Sequence, residues 1–161
     1  MDNNLEIMLG AMLAARGFTF CAAESCTGGL IVHRMTNVPG SSAYVLGGIV
    51  AYSNAIKERL LRVQTQTLID YGAVSAQTAA EMALGARQAF DADYAVSVTG
   101  IAGPGGGTED KPVGLTYIAL AGREGLCAGQ SHIWQGDREA NKIASADAAL
   151  RLALDYLTGL D

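Results

Sequence analysis

The chain has 161 residues, half of them hydrophobic and 17% charged, with a formal net charge of −5. That length and composition suit one domain with a substantial core and exclude a disordered or solvating tail. No Lys/Arg-rich run is present, so the electrostatic case for nucleic-acid binding is missing, while a small anion can still be held by a local nest of backbone amides.

Residues 4–16 carry Leu5, Met8, Leu9, Met12 and Leu13 at helical spacing, which predicts one buried face, and Gly17 stops that helix. The apolar run 18–23 predicts a strand. It leads into Glu24-Ser25-Cys26-Thr27-Gly28-Gly29, a tight Gly-bearing turn before a helix from Leu30 to about Thr36. Ser25 therefore sits beside helix-start N–H groups, and two readings stand for it. It caps the helix, or it is a nucleophile whose oxyanion is held by amides between Ser25 and Gly28. Cys26 is a rival nucleophile or a packed thiol. Glu24 reads as a structural acceptor of backbone donors.

Residues 37–42 form a loop by composition, and Tyr44–Tyr52 reads as a strand. Ser53-Asn54 caps a short helix, Ala55–Leu61. If this strand neighbours the Ser25 strand, Tyr52 and Lys57 can face Ser25. A serine hydroxyl needs a base, no histidine is well placed, and a lysine made neutral by burial serves. Tyr52 would relay a proton or orient the amine. The alternative is a solvated Lys57 and a core-edge Tyr52.

Thr67–Tyr71 predicts a further short helix. A longer one opens at Ser75 and carries Ala79, Met82, Ala83, Ala86 and Phe90 on one face. Tyr94–Thr99 is a continuous apolar strand of the doubly buried kind. The glycine-rich loop 100–112 follows, with Gly100 and Gly103 letting backbone approach a ligand and Thr99 and Thr108 offering hydroxyls to a phosphate. It matches neither the P-loop nor the dinucleotide fingerprint, and a plain mobile loop is the other reading. Strands 113–121 and 126–134 form a hairpin around Gly122-Arg123-Glu124-Gly125. The last helix spans about Arg138–Leu157, with Ile143, Ala146, Ala149, Leu150, Ala153, Leu154 and Leu157 inward. Asp137 is its natural cap, and Arg138 can fork onto a carboxylate or phosphate.

Alternating strands and helices predict an α/β fold, a three-layer α/β/α sandwich whose terminal hairpin makes the central sheet mixed. A single domain over residues 1–161 is expected. The start Met1-Asp2-Asn3-Asn4-Leu5-Glu6 lacks the basic and apolar regions of a signal peptide, and no apolar stretch approaches a membrane span. Three cysteines suit a reducing compartment, so a cytoplasmic protein is expected. His33 and His132 lie apart and outside any Cys/His cluster, so no metal or cofactor is expected. The apolar last helix makes a homodimer or higher homo-oligomer plausible.

Ala22–Gly29, Pro39-Gly40-Ser41-Ser42, Val50–Lys57, Gly72-Ala73-Val74-Ser75, Thr99–Pro104, Lys111-Pro112-Val113-Gly114 and Gly136-Asp137-Arg138 occur in order. This series resembles the C-terminal domain of the competence-damage protein CinA, and more closely the stand-alone nicotinamide-nucleotide amidases of that family. The resemblance implies a metal-free Ser/Lys-type amidohydrolase in a three-layer fold. It would convert nicotinamide mononucleotide and water to nicotinate mononucleotide and ammonia, in NAD recycling. The family's serine falls on Ser25, its tyrosine on Tyr52 and its lysine on Lys57. The glycine-rich loop, with Thr99, Gly100, Gly103 and Thr108, corresponds to the region that helps hold the nucleotide; Thr27, Gly28, Arg138 and Lys142 are further binding candidates. Lys142 stands where many members carry arginine, keeping the charge without the fork. An inactive paralogue acting as a nucleotide-binding or interaction module is the alternative.

Overall fold

The computed structural model describes residues 4–160. The outermost residues of the expected domain, 1–3 and 161, lie outside that range. Helix α1 (Leu5–Arg16) is followed by β1 (Phe20–Glu24), α2 (Leu30–Thr36), a 3-10 turn at Ser41–Ala43 and β2 (Val45–Val50). Then come α3 (Asn54–Leu61), α4 (Thr65–Tyr71), α5 (Ala76–Phe90) and β3 (Tyr94–Gly100). Strands β4 (Leu115–Gly122) and β5 (Gly125–Ile133) and helix α6 (Arg138–Thr158) complete the order.

The five strands form one sheet in the order β2-β1-β3-β4-β5. β1 pairs parallel with β2 and β3, whereas β4 runs antiparallel to both β3 and β5. The expected mixed sheet is present, with α1, α2 and α6 packed together on one face and α3, α4 and α5 on the other. All five residues of β1 are buried, which explains why Phe20–Ala23 read as an unbroken apolar run rather than an alternation. Among the described residues no helix is long and apolar enough to cross a membrane.

Several expectations differ from what is observed. Met8 is 54% exposed. The buried stripe of α1 is Leu5, Leu9 and Leu13, and Met8 lies about 100° round the helix from Leu9. Val113 and Gly114 precede β4 instead of belonging to it, because the Gly114 N–H turns onto the Ile101 carbonyl at 2.7 Å. Ile143 is half-buried in the wall of an open cleft, not in the core.

The topology creates the crevice. β1 connects through α2 to β2 on one side, while β3 leads to β4 on the other. Connections therefore diverge from two adjacent parallel strands, and open α/β sheets bind ligands outside the carboxyl ends of such strands. The Ser25 N–H bonds the Val98 carbonyl at 3.0 Å and the Ala51 N–H bonds the Glu24 carbonyl at 2.8 Å. These bonds bring the chain leaving β1, β2 and β3 to one place.

Candidate active site

Ser25 follows β1 directly, and the turn after it closes through Gly28 and Gly29, whose φ of +63° and +100° an L side chain rarely adopts. Ser25 is not the cap of α2. Glu24, fully buried, accepts from the amides of Gly29 (2.9 Å), Ile31 (3.2 Å) and Val32 (3.0 Å). Its carboxylate satisfies the helix start from within, the structural role expected of it. The Gly28 N–H donates to the Ser25 carbonyl at 3.2 Å, so it is not the free oxyanion donor that the sequence suggests. Between Ser25 and Gly29, the amides of Cys26 and Thr27 are the ones that donate to no other residue.

Lys57 is 1% exposed and its Nζ lies 3.2 Å from Ser25 Oγ. The same nitrogen is 2.9 Å from the Ala51 carbonyl and 3.4 Å from the Tyr52 carbonyl. Helix α3 puts Lys57 and Leu61 on its inner face, and Ser53 caps that helix by accepting from the Ile56 N–H. Among the described residues no carboxylate forms an ion pair with Lys57. Burial accordingly pushes its amine below the ordinary 10.5. The geometry accommodates the neutral form: two N–H bonds go to the two carbonyls, and the lone pair is left for the serine proton. Burial has the opposite sense for the thiol beside it and pushes Cys26 up to about 11. A thiol held there carries little thiolate near neutrality, which disfavours Cys26 as the nucleophile.

Ser25, Tyr52, Lys57, Thr99, Gly100 and Arg138 share a hollow of about 190 Å³, together with Cys26, Asn54 and Ala102. Thr99 is anchored by its Oγ1, which donates to the Ala73 carbonyl at 2.7 Å. Gly100 is required by packing, since a Cβ there would lie 2.7 Å from Thr116 Oγ1 and 2.8 Å from the Leu115 carbonyl. Tyr52 shares the hollow, but its hydroxyl reaches neither Ser25 nor Lys57. It accepts from Arg138 Nη2 at 3.1 Å.

A larger cleft of about 690 Å³ adjoins it between α2 and α6. Ser25 does not line this cleft. Thr27, Gly28, Arg138 and Lys142 line it, with His33 and Glu139. Thr27 Oγ1 is buried there without a hydrogen-bond partner. Arg138 lines both spaces. Gly103 meets the site through its carbonyl, which accepts from Arg138 Nη1 at 2.7 Å. Thr108 lines neither space: its Oγ1 accepts from the Lys111 N–H at 3.1 Å in an exposed turn.

The sequence marks neither Asn54 nor Glu139 as a site residue: Asn54 reads as a cap residue beside Ser53. The oxyanion donors expected between Ser25 and Gly28 narrow to the Cys26 and Thr27 amides.

The CinA C-terminal domain model matches residues 2–157. The chain belongs to the CinA C-terminal domain family. The nicotinamide-nucleotide amidohydrolase PncC of Enterobacter agglomerans is 48% identical over 152 residues, covering 94% of this chain and 93% of that protein. A CinA-like protein of Geobacter sulfurreducens is 50% identical over 149 residues, or 92% of this chain and 36% of that protein. The chain thus spans little more than a third of the length of several curated relatives it matches. Among solved structures, the competence/damage inducible protein CihA of Agrobacterium tumefaciens superposes with a TM-score of 0.90 at 41% identity, covering 96% of this chain and 94% of that one. A CinA superfamily protein of Klebsiella pneumoniae gives 0.93 at 30% identity, each covered to 98%. The three-layer architecture of this CinA domain is therefore that of its family.

Proposed function

We propose that this CinA domain hydrolyses the carboxamide of nicotinamide mononucleotide, giving nicotinate mononucleotide and ammonia through an acyl-enzyme on Ser25. The observation that carries this reading is Lys57 Nζ, buried, without a carboxylate partner among the described residues and 3.2 Å from Ser25 Oγ. The 48% identity to a nicotinamide-nucleotide amidohydrolase over nearly its whole length supports the choice of substrate.

Neutral Lys57 accepts the Ser25 proton as Oγ attacks the carboxamide carbon. The oxyanion that forms is met by the Cys26 and Thr27 amides, and elsewhere one such donor is worth roughly 3–4 kcal/mol. Lys57 then passes its proton to the departing nitrogen, and ammonia leaves. Water, deprotonated by the same amine, opens the ester and restores Ser25. The pyridine ring occupies the smaller hollow and the ribose phosphate the larger cleft, where Arg138 and Lys142 supply positive charge.

The test is ammonia release from nicotinamide mononucleotide by the purified protein and by Ser25→Ala. The wild type should release it and the variant should not. Binding of the nucleotide without turnover by the wild type would overturn the reading in favour of a nucleotide-binding module.

A further inference from the structure

The phenol of Tyr52 stands apart from the Ser25–Lys57 pair, although it shares their hollow. Lys57 Nζ already has three partners: Ser25 Oγ, the Ala51 carbonyl and the Tyr52 carbonyl. An ammonium offers three N–H bonds, and a neutral amine two N–H bonds and one lone pair. Either form is fully engaged, so no fourth position is open to a phenol. The Tyr52 side chain is instead 65% exposed, and its Oη accepts from Arg138 Nη2.

Arg138 is held at a second point. Its Nη1 donates to the Gly103 carbonyl at 2.7 Å, so the guanidinium bridges the chain after β2 and the glycine-rich loop. Two of its five N–H donors are engaged and three remain. They belong to the one side chain, among the described residues, that lines both the Ser25 hollow and the larger cleft. Arg138 therefore stands where a ligand spanning the two spaces must pass. Lys142, one turn along α6, adds a second cation to the cleft wall.

We infer that Tyr52 is a positioning residue acting through Arg138. The phenol and the Gly103 carbonyl hold the guanidinium at the junction of the two spaces, and Arg138 there selects amides that carry an anionic group over those that lack one. The inference rests on the amidase reading for its substrates, but not for its geometry. Tyr52 in this role sets which amide is taken and does not relay the serine proton.

The experiment compares wild type, Tyr52→Phe, Arg138→Ala and the double variant on nicotinamide mononucleotide and on its phosphate-free form, nicotinamide riboside. The readout is the ratio of kcat/KM for the two substrates. Tyr52→Phe should lower that preference about tenfold, mainly through KM for the mononucleotide, the size expected for one charge-assisted hydrogen bond. Arg138→Ala should lower it at least as far, and the double variant no further than Arg138→Ala alone, because both changes remove the same contact. A fall in kcat of about a hundredfold on both substrates alike in Tyr52→Phe would overturn the inference and return the phenol to the proton transfer. If the wild type releases ammonia from neither substrate, the amidase reading fails and calorimetry decides the inference separately. Nicotinamide mononucleotide, not consumed in that case, should then bind Tyr52→Phe about tenfold more weakly than wild type, with nicotinamide riboside little changed. Equal loss for both ligands, or none for the mononucleotide, would refute it.

Discussion

Replacing Lys57 by methionine removes the base while keeping the buried stem. The Ala51 and Tyr52 carbonyls lose N–H partners at 2.9 and 3.4 Å, and the second bond is long enough to be weak. An orphaned buried acceptor costs about 1–3 kcal/mol. Against this, the variant no longer buries an amine whose charged form the site disfavours by about 1.4 kcal/mol for each unit its pKa is lowered. The two effects oppose, so the net change should be within about 2 kcal/mol, a shift of roughly 8 °C or less in Tm for a chain of this size. The fold survives. Turnover should not, because general-base assistance contributes about 10²–10⁴-fold. Ammonia release measured beside thermal unfolding separates the two. Lys57→Arg sharpens the test: it keeps a positive charge but cannot give up its proton, so it should be as inactive as Lys57→Met. Turnover by Lys57→Met within tenfold of wild type would refute the reasoning. Activity in Lys57→Arg alone would show that charge, not basicity, is what Ser25 requires.

The pH profile follows from the same amine. Activity should rise with pH as Lys57 loses its proton, with a midpoint below 10.5, and a profile flat from pH 6 to 10 would contradict this. Stability carries the matching sign. Between the lowered folded value and 10.5 the unfolded chain binds the extra proton, so the contribution of Lys57 to stability improves as pH rises and is penalised below that window. The Tm of Lys57→Met relative to wild type should therefore be highest at low pH and decline toward pH 10.5. Glu24→Ala strands three amides at the start of α2 and should lower stability by roughly 3 kcal/mol or more, read as a drop in Tm with near-complete loss of activity. Iodoacetamide at pH 8 should leave turnover intact over minutes, since the Cys26 thiol is held up at about 11 and buried. Gly85→Ala should prevent stable folding, because its Cβ would fall 1.8 Å from the Leu61 carbonyl where α5 meets α3.

The order of elements was readable because the signals were local. Phe20–Glu24 and Tyr94–Gly100 are apolar runs of strand length, and Gly17, Ser53, Ser75 and Asp137 stand where helices stop or start. The site was readable only in part. Ser25 was marked by its turn, but the state of Lys57 depends on α3 seating closely on α5, and Gly85 permits that approach from across the fold. One local clue existed, since Lys57 shares an i, i+4 stripe with Leu61. The path of the glycine-rich loop left no such trace. Composition placed Thr108 and Gly103 together in one ligand-holding loop. The folded chain leaves Thr108 in an outer turn, and joins Gly103 to Arg138, 35 residues later. The amides of the Ser25 turn were marked by the turn itself, but which of them stay free depends on the folded chain, where the Gly28 N–H turns back onto the Ser25 carbonyl.

The most direct measurement is peptide mass mapping of protein quenched with acid during turnover of nicotinamide mononucleotide. A nicotinoyl-nucleotide ester should appear on the peptide holding Ser25 and vanish in Ser25→Ala together with ammonia release. An adduct on Cys26, or undiminished ammonia from Ser25→Ala, would contradict a lysine-activated serine as the seat of the reaction.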